Sequence, residues 1–339
     1  MRWLDAPGHD LTVKYLTVDD GQRTSLQRHD RKDELLIVLD GTGCVEVAGE
    51  PRGGTVRIRP GTPHRVTGPL TYLEVSGYDD DTDTIRLADD YGRTAAVPPF
   101  TSHNILLPGG TQTLPGHPLV ARSGMCRTPL GELEAAFGGS RDITVADLGC
   151  LEGGYAAEFA RAGYNVTGIE VRPENHERAA WVADMLGLPN LRFICGDARE
   201  VLPGTRFDVV FCAGLLYHLD QPVAFLNLLG QVTRRMLILN TNFSLQDGGH
   251  PESAHHPGER CDYADSRNEG RAGHWHHEID TPWSSFGNTS SFWLRKDDLL
   301  LSIRDAGFTS VSERNGWGDS LPQGSGGAFP DRGLFVALK

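Results

Sequence analysis

Ten residues near the middle of the chain decide the fold of its larger part: Val145-Ala146-Asp147-Leu148-Gly149-Cys150-Leu151-Glu152-Gly153-Gly154. The apolar run over residues 143–146 predicts a β-strand, and the acidic residue and glycines after it predict a tight turn. A helical pattern over residues 155–162 and a second β-type run over residues 165–170 come next. The stretch therefore opens a strand–turn–helix–strand unit, which is typical of nucleotide-binding α/β folds.

The chemistry of this turn indicates which nucleotide it suits. Glycines allow the backbone to approach a ligand, and Glu170, which ends the second strand, can accept hydrogen bonds from both hydroxyls of a ribose. Leu151, however, fills the middle glycine position of the dinucleotide fingerprint, and Glu152 places negative charge where a pyrophosphate would lie. Such a turn disfavours phosphate and tolerates a cation. S-adenosylmethionine meets both conditions, because it combines an adenosine with a positive sulfonium and has no phosphate.

The unit resembles motif I of the class I S-adenosylmethionine-dependent methyltransferases, and the resemblance extends over residues 128–339. Further strands are predicted over residues 191–195, 207–212, 236–240, 308–314 and 333–338, the last antiparallel, which gives a doubly wound, Rossmann-like sheet. The resemblance implies that the first turn faces the methionine part of the cofactor, Glu170 the ribose, and Asp197 with the Ala198 backbone the adenine. The expected cofactor-binding residues are Asp147, Gly149, Gly153, Glu170, Asp197, Ala198 and Gly214. A Rossmann-like fold with another ligand is the alternative.

The loop after the fourth predicted strand supplies the candidate catalytic residues. It includes Gly214, Tyr217 and His218, and in the resembling family it borders the methyl group. His218 can accept a proton from a hydroxyl or an amine near neutral pH. Tyr217 can shape the acceptor pocket or lie over the sulfonium. The alternative is that His218 only forms a hydrogen bond within its loop.

The first 95 residues contain short β-branched runs, frequent turns and no convincing helix, which predicts a small antiparallel barrel or jelly roll. Gln27 and His29 would share one face of an extended strand, and Glu34 and His64 could join them from neighbouring strands. Two imidazoles, a carboxylate and an amide oxygen suit a divalent metal with an open position, such as zinc, iron, manganese or nickel.

Three blocks of this region resemble the cupin superfamily, in particular the C-terminal domain of type II mannose-6-phosphate isomerases. They are GQRTSLQRH (21–29), GTPHRVT (61–67) and EVSGYDDDTDTIRLADDYGR (74–93). The resemblance covers about residues 10–95 and assigns Gln27, His29, Glu34 and His64 to the metal-ligand positions. Arg59 departs from the proline of the family, but it removes no ligand. The alternative is a cupin kept only for dimerisation or packing.

Two segments lie outside these motifs. Residues 96–127 are rich in turns but also in leucine, so this connecting segment is expected to pack, and in the resembling family residues 103–108 fold over the cofactor or acceptor. A short helix is predicted over residues 130–137, with Pro129 near its first turn. Residues 243–292 are predicted to be an insertion without regular structure, whose many rings form an acceptor-binding cap. Its histidines His274, His276 and His277 are weaker candidates for a metal site or a second base.

Length, charge and cysteine content limit the possible domain organisation, binding partners and cellular location. At 339 residues about two domains are expected, and we place the cupin at 1–95 and the methyltransferase at 128–339. The net charge of −13 disfavours nonspecific nucleic-acid binding. No apolar run approaches the ~20 residues that span a membrane. Six scattered cysteines suit a reducing cytoplasm. A homodimer is expected.

The leading functional hypothesis is a methyltransferase that acts on an oxygen, nitrogen or activated carbon of a small molecule in specialised metabolism, with His218 as the base. A second hypothesis is a bifunctional enzyme, in which the barrel isomerises or epimerises a metabolite that the other domain methylates. In a third, the barrel binds a metabolite and regulates the transferase.

Overall fold

The computed structural model describes residues 11–77, 83–88, 97–138, 140, 142–245, 263–278, 284–315, 317 and 331–339. Parts of the predicted cupin tail (74–93) and of the predicted cap lie outside these residues, including His250, His255, His256 and Trp283. The chain divides into two compact units. One comprises Met1–Pro99, Leu106–Thr113 and Val182–Gly187, and the other comprises Phe100–Ile105, Leu114–Trp181 and Leu188–Lys339.

The first unit has the all-β structure that its β-branched runs predict. Its strands are β1 (Thr12–Val18), β2 (Leu26–His29), β3 (Glu34–Gly41), β4 (Cys44–Val47), β5 (Glu50–Arg52), β6 (Thr55–Ile58), β7 (His64–Thr67), β8 (Leu70–Ser76) and β9 (Thr84–Ala88). They form two antiparallel sheets, ordered β1-β8-β3-β6 and β5-β4-β7-β2-β9. Leu36 and Tyr72 of the first sheet share a buried core with Val45 and Val66 of the second, so the two sheets face each other.

The second unit is built on a seven-stranded sheet. The remaining strands of the chain are β10 (Thr144–Leu148), β11 (Asn165–Glu170), β12 (Leu191–Cys195), β13 (Phe207–Ala213), β14 (Thr233–Asn242), β15 (Tyr263–Asp265), β16 (Arg271–His277), β17 (Ser290–Leu294), β18 (Ser310–Arg314) and β19 (Arg332–Leu338). The large sheet has the order β12-β11-β10-β13-β14-β19-β18. Its first five strands are parallel, and β19 is antiparallel to both neighbours. The predicted Rossmann-like sheet is confirmed, and its order reverses beside β10, where such sheets bind ligands.

The helices are α1 (Gly124–Phe137), α2 (Gly154–Arg161), α3 (Pro173–Leu186), α4 (Ala198–Val201), α5 (Pro222–Val232) and α6 (Lys296–Asp305). The helical pattern over residues 155–162 agrees with α2 to within a residue. Helices α4 and α5 were not predicted. None of the described helices combines the length and the apolar character that crossing a membrane would require.

Helix α1 begins six residues before its predicted start, with Pro129 inside it rather than in its first turn. The reason lies at its N-terminus, where the Ser123 side chain accepts a hydrogen bond from the Cys126 amide at 3.1 Å. Met125 and Cys126 are buried, so the added turn contributes to the core. Burial and the cap therefore outweigh the single backbone hydrogen bond that a proline removes.

The prediction of an irregular insertion is wrong for the residues that the structure describes there. Strands β15, β16 and β17 form a separate three-stranded antiparallel sheet. Trp275 of β16 packs on the buried Phe292 of β17, with ring centroids 5.2 Å apart. Trp293 is also buried. These rings form a core and are not the exposed cap that was expected.

Candidate active site

A cavity of about 280 Å³ lies in the second unit, where β10, β11, β12 and β13 end. The predicted residues that line it are Gly149, Glu170, Asp197, Ala198, Gly214, Tyr217 and His218. Two predicted cofactor residues, Asp147 and Gly153, do not line it. The carboxyl ends of the parallel strands thus bring five of the seven predicted cofactor residues to one place, together with both candidate catalytic residues.

Glu170 is fixed at the end of β11 by the backbone of the first turn. One carboxylate oxygen accepts a hydrogen bond from the Leu151 amide at 2.9 Å, and the other accepts one from the Arg172 amide at 2.9 Å. Leu151 stands at the position where the dinucleotide fingerprint has glycine, and it adopts the left-handed conformation that glycine favours, with φ 48°. This conformation directs its amide to Glu170. Each carboxylate oxygen keeps a lone pair for a ligand hydroxyl, so Glu170 suits a ribose.

Asp197 and Ala198 begin helix α4. The Asp197 carboxylate caps the helix through the Arg199 amide at 2.8 Å and also accepts hydrogen bonds from the Arg199 guanidinium at 2.6–3.1 Å. Those guanidinium bonds hold the pKa of Asp197 below its ordinary value, although burial opposes the shift. The Ala198 amide lies in the first helical turn, where an N–H group has no intrahelical partner. A carboxylate and an amide N–H side by side can bind the edge of an adenine.

Asp147 was predicted to bind the cofactor, but it does not line the cavity. Its side chain is 1% exposed, one oxygen lacks a hydrogen-bond partner, and the Ala156 amide of α2 donates to the carboxyl group. Burial raises the pKa of Asp147 to about 7. Asp147 therefore belongs to the interior behind the turn.

Gly153 is required for packing rather than for approach to a ligand. It is the N-cap residue of α2 and has φ 77°. A Cβ atom at this position would lie 2.5 Å from the Phe193 ring. Gly149 and Gly214, which do line the cavity, have φ 65° and 76°, so their left-handed backbone favours glycine there.

The sequence suggested that Glu152 lies where a pyrophosphate would bind. The structure places it elsewhere. It is fully buried and does not line the cavity. One carboxylate oxygen accepts from the amide and hydroxyl of Thr101 at 2.7 and 3.1 Å. The other accepts from the amides of Ser102 and His103 at 3.0 and 2.8 Å. Glu152 therefore anchors residues 101–103, two of which line the cavity.

Of the segment that was expected to cover the cavity (103–108), His103 lines it. Residues Leu106–Thr113 belong to the first unit. The His103 Nδ1 atom accepts a hydrogen bond from the Gly154 amide at 3.0 Å, and the His103 ring lies edge-on to Tyr155. Burial lowers the pKa of His103 well below its ordinary value. His103 is thus a neutral wall residue.

Replacing Glu152 with glutamine should lower the free energy of unfolding by about 2–4 kcal/mol, because the amide nitrogen cannot accept the hydrogen bonds that one carboxylate oxygen now accepts. Urea denaturation of the full chain measures this. Glu313→Gln is the matched control, since Glu313 pairs with Lys296 at the surface, where both side chains are more than a third exposed, and should contribute less than about 1 kcal/mol. Equal effects of the two substitutions would contradict the anchoring role.

His218 is held by Glu278, a residue that the sequence reasoning did not identify. The His218 Nδ1 atom lies 3.0 and 3.1 Å from the two Glu278 oxygens. A carboxylate only accepts, so Nδ1 carries the proton and Nε2 keeps its lone pair. Burial opposes ionisation of Glu278, but the hydrogen bond from His218 holds the pKa of Glu278 below its ordinary value. The two residues are 60 positions apart in the chain, so no local pattern could have paired them.

A short segment after Glu278 completes this arrangement. The Ser285 amide donates to Glu278 at 3.0 Å, and the Ser285 hydroxyl donates to the His218 carbonyl at 2.8 Å. Asn288 also donates to that carbonyl, at 3.0 Å. Ser285 and Phe286 line the cavity. The insertion therefore contributes to the site through this segment.

The other predicted histidines of the insertion serve its sheet. His274 lies 2.9 Å from the Ser244 hydroxyl, and His276 stacks on Trp293 with ring centroids 4.6 Å apart. Neither residue, nor His277, lines the cavity. Within the described part of the chain, they are not among the groups of three or more side chains placed to hold a metal. The structure therefore does not support these three residues as a metal site or as bases.

The barrel residues predicted to bind a metal do come together in the first unit. His29, Glu34 and His64 are buried, and one ligand atom from each lies within 4.8 Å of the others. The Glu34 Oε1 atom is 2.8 Å from His64 Nε2 and 3.6 Å from His29 Nε2. The Gln27 amide nitrogen is 3.5 Å from His29.

Lys32 joins this group and was missed by the sequence reasoning. Its ammonium lies 3.0 Å from the second oxygen of Glu34 and 2.5 Å from Glu74. The ammonium thus pairs with Glu34 Oε2, while Glu34 Oε1 faces the two imidazoles.

Comparisons with known proteins agree with this second unit. A family model described as "Methyltransferase domain" matches residues 145–235. The Ubiquinone biosynthesis O-methyltransferase of Rickettsia felis is 30% identical over 101 residues, which are 29% of this chain and 41% of that protein. That of Psychrobacter cryohalolentis is 35% identical over 86 residues, 24% of this chain and 34% of that protein. The chain thus spans well under half the length of the curated relatives it matches.

Solved methyltransferase structures are also similar. The N-terminal domain of EvdMO1 with bound SAH has a TM-score of 0.46 at 24% identity, over 64% of this chain and 80% of that chain. The magnesium protoporphyrin IX methyltransferase of Synechocystis PCC 6803 has a TM-score of 0.43 at 18% identity, over 64% and 84%. The match to the family model confirms the predicted methyltransferase domain over residues 145–235.

Proposed function

We propose that this protein transfers the methyl group of S-adenosylmethionine to a hydroxyl oxygen of a small molecule. One observation carries the proposal: a single cavity joins Glu170, Asp197 and the Ala198 amide to the base candidate His218. The choice of oxygen follows from His218, because an alcohol or phenol must lose a proton as it is methylated. The names of the curated relatives, which are O-methyltransferases, support the same choice.

The residues present fit the cofactor. Glu170 has unused lone pairs for the ribose hydroxyls, and Asp197 with the Ala198 amide offers an acceptor and a donor to adenine. Gly149 and Gly214 let the backbone approach the methionine part. When bound, S-adenosylmethionine supplies an electrophilic methyl group whose sulfide leaving group needs no acid.

His218 is the proposed base, and Glu278 positions it. With Nδ1–H donated to Glu278, the Nε2 lone pair is free to take the proton of an acceptor hydroxyl. The Glu278 charge stabilises the imidazolium that this transfer creates. Tyr217 packs on the His218 ring at a centroid distance of 4.3 Å and so limits how that ring can turn. Proximity and orientation in the cavity supply the rest of the catalysis.

The function is tested by calorimetric titration of the full chain with S-adenosylhomocysteine and, separately, with NAD⁺. We expect one equivalent of S-adenosylhomocysteine to bind with a dissociation constant in the ~1–50 μM range, −6 to −8 kcal/mol. NAD⁺ should give no saturable heat at the same concentrations, because its pyrophosphate has no partner in the turn. Tight binding of NAD⁺ without binding of S-adenosylhomocysteine would overturn the proposal.

We further propose that the first unit is a cupin that holds a divalent metal through Gln27, His29, Glu34 and His64. His64 Nδ1 lies 3.1 Å from the Thr62 carbonyl and donates its proton there, and His64 Nε2 faces Glu34 Oε1 at 2.8 Å. That oxygen is buried and accepts no hydrogen bond. A cation beside Oε1 would satisfy both atoms, which is why the donor set fits a metal.

The role of the first unit stays a hypothesis. None of its described contacts favours a barrel isomerase or a regulatory metabolite site over a packing or dimerisation module. The homodimer and the cytoplasmic location likewise stay predictions.

Metal analysis of the purified full chain should find about one equivalent of zinc, iron, manganese or nickel per chain, and His64→Ala should reduce it to less than about a tenth. His117→Ala is the matched control, because His117 is exposed and lies outside the cluster. Less than a tenth of an equivalent in the unaltered protein after incubation with each metal would remove the site.

A further inference from the structure

Three arginines line the cavity, and they differ in the groups that contact their guanidinium groups. Arg199 is paired with the Asp197 carboxylate. Arg172 donates to the Ser284 carbonyl at 2.5 Å and lies over the Phe286 ring, beside Glu170 in the sequence. Arg332 forms no ion pair with any carboxylate of the residues that the structure describes. Its positive charge is therefore available to a ligand.

The Arg332 side chain is held in place although its charge is not paired. Arg332 is the first residue of strand β19, and its Nε atom donates a hydrogen bond to the Asn240 side-chain oxygen at 2.9 Å. Asn240 is fully buried and is itself fixed by a 3.0 Å hydrogen bond to the Gly333 carbonyl. The guanidinium carbon lies 5.3 Å from the Tyr217 ring and 5.9 Å from the Trp317 ring. Aromatic rings thus surround the guanidinium group, whose two terminal nitrogens remain as donors.

The position of Arg332 relates it to the proposed methyl transfer. Tyr217 contacts both the Arg332 guanidinium and the His218 ring. The Arg332 Nη2 atom is 3.8 Å from the place of a Cβ on Gly214, in the loop that leads to His218. The unpaired charge and the proposed base therefore lie on one wall of the cavity.

We propose that Arg332 binds a carboxylate of the methyl acceptor, so that the substrate is a hydroxylated acid rather than a neutral alcohol. A guanidinium recognises a carboxylate through two parallel hydrogen bonds, and partial burial between rings strengthens them. The protein as a whole carries a net charge of −13, so it does not attract anions in general, and a local positive group in the cavity is a specific feature. This proposal rests on the proposed function, because it assigns the acceptor of that reaction.

The competing source of a carboxylate is the cofactor, whose methionine part also carries one. The two are separated with S-adenosylhomocysteine, which has that carboxylate, and 5′-methylthioadenosine, which lacks it. If Arg332 binds the acceptor, Arg332→Gln leaves the affinity for both compounds within about threefold of the unaltered protein. If S-adenosylhomocysteine alone is weakened by about tenfold or more, Arg332 binds the cofactor and the proposal is wrong.

Acceptor recognition is measured by calorimetry with 4-hydroxybenzoate and its neutral counterpart 4-hydroxybenzamide, each with and without S-adenosylhomocysteine. The unaltered protein should prefer the acid by about tenfold or more. Arg332→Gln should reduce the preference to within about threefold, and Arg332→Lys should restore part of it. Arg304→Gln is the matched control: Arg304 is exposed on α6, and its loss removes the same charge without changing the preference.

Two further results would overturn the proposal. One is the absence of saturable binding of 4-hydroxybenzoate to the unaltered protein up to about 20 mM, since a charge-assisted site in a cavity should bind a simple aromatic acid at millimolar concentration. The other is a preference for the acid that survives in Arg332→Gln. Failure of S-adenosylhomocysteine to bind at all would instead sink the proposed function, while the titrations without it still report on Arg332.

Discussion

Replacement of His218 with alanine should lower kcat by about a hundredfold to ten-thousandfold and leave the affinity for S-adenosylhomocysteine within about threefold. The acceptor hydroxyl would then have to lose its proton to water while it attacks. His218 receives a hydrogen bond from none of the proposed ribose- and adenine-binding groups, so its loss should not disturb the cofactor. The rate is measured with the best acceptor from a screen of hydroxylated acids and neutral alcohols.

Glu278 provides a graded control for this experiment. Glu278→Gln keeps the size of the side chain but removes the charge that would stabilise the imidazolium, so kcat should fall by about tenfold or more and the rise of kcat with pH should shift. A structural defect alone would lower kcat without moving the pH profile. A loss below tenfold in His218→Ala, with the cofactor still bound, would remove His218 as the base.

Replacement of Glu170 with alanine should weaken the binding of S-adenosylhomocysteine by about a hundredfold or more. Hydrogen bonds to a charged group contribute about 1.5–3 kcal/mol each, and the substitution removes those to the ribose hydroxyls. It also leaves the amides of Leu151 and Arg172 without their acceptor and so loosens the turn. Calorimetry measures the affinity.

Two further variants serve as controls for Glu170→Ala. Glu170→Gln retains the shape and one acceptor oxygen, so its affinity should lie between those of the unaltered protein and the alanine variant. Glu174→Ala removes an exposed carboxylate in the first turn of α3 and should leave the affinity unchanged. A loss of less than about threefold in Glu170→Ala would show that the ribose lies elsewhere.

The stretch around β10 shows what the sequence could predict. The apolar strand, the glycine turn and the acidic end of β11 have characteristic residue types at characteristic spacings, so the fold and the place of the cavity followed from them. The directions of side chains within the turn did not. Asp147 and Glu152 both turned out to be interior residues, and Glu152 binds a segment about fifty residues earlier in the chain. Tertiary contacts decided where those charges point.

Long-range pairings account for the other differences. Glu278 reaches His218 because β16 pairs with β17, and Lys32 reaches Glu74 because β3 pairs with β8. Neither pairing leaves a local pattern near the residues concerned. Strand β16 contains no β-branched residue, so its sequence gave little local indication of a strand.

The most direct test of this account is a crystal structure of the full chain with S-adenosylhomocysteine. We expect the ribose hydroxyls within about 2.5–3.0 Å of the Glu170 carboxylate, the adenine edge at Asp197 and the Ala198 amide, and the sulfur on the wall that carries Gly214 and His218. A ligand bound outside this cavity, or one whose ribose does not contact Glu170, would contradict the account.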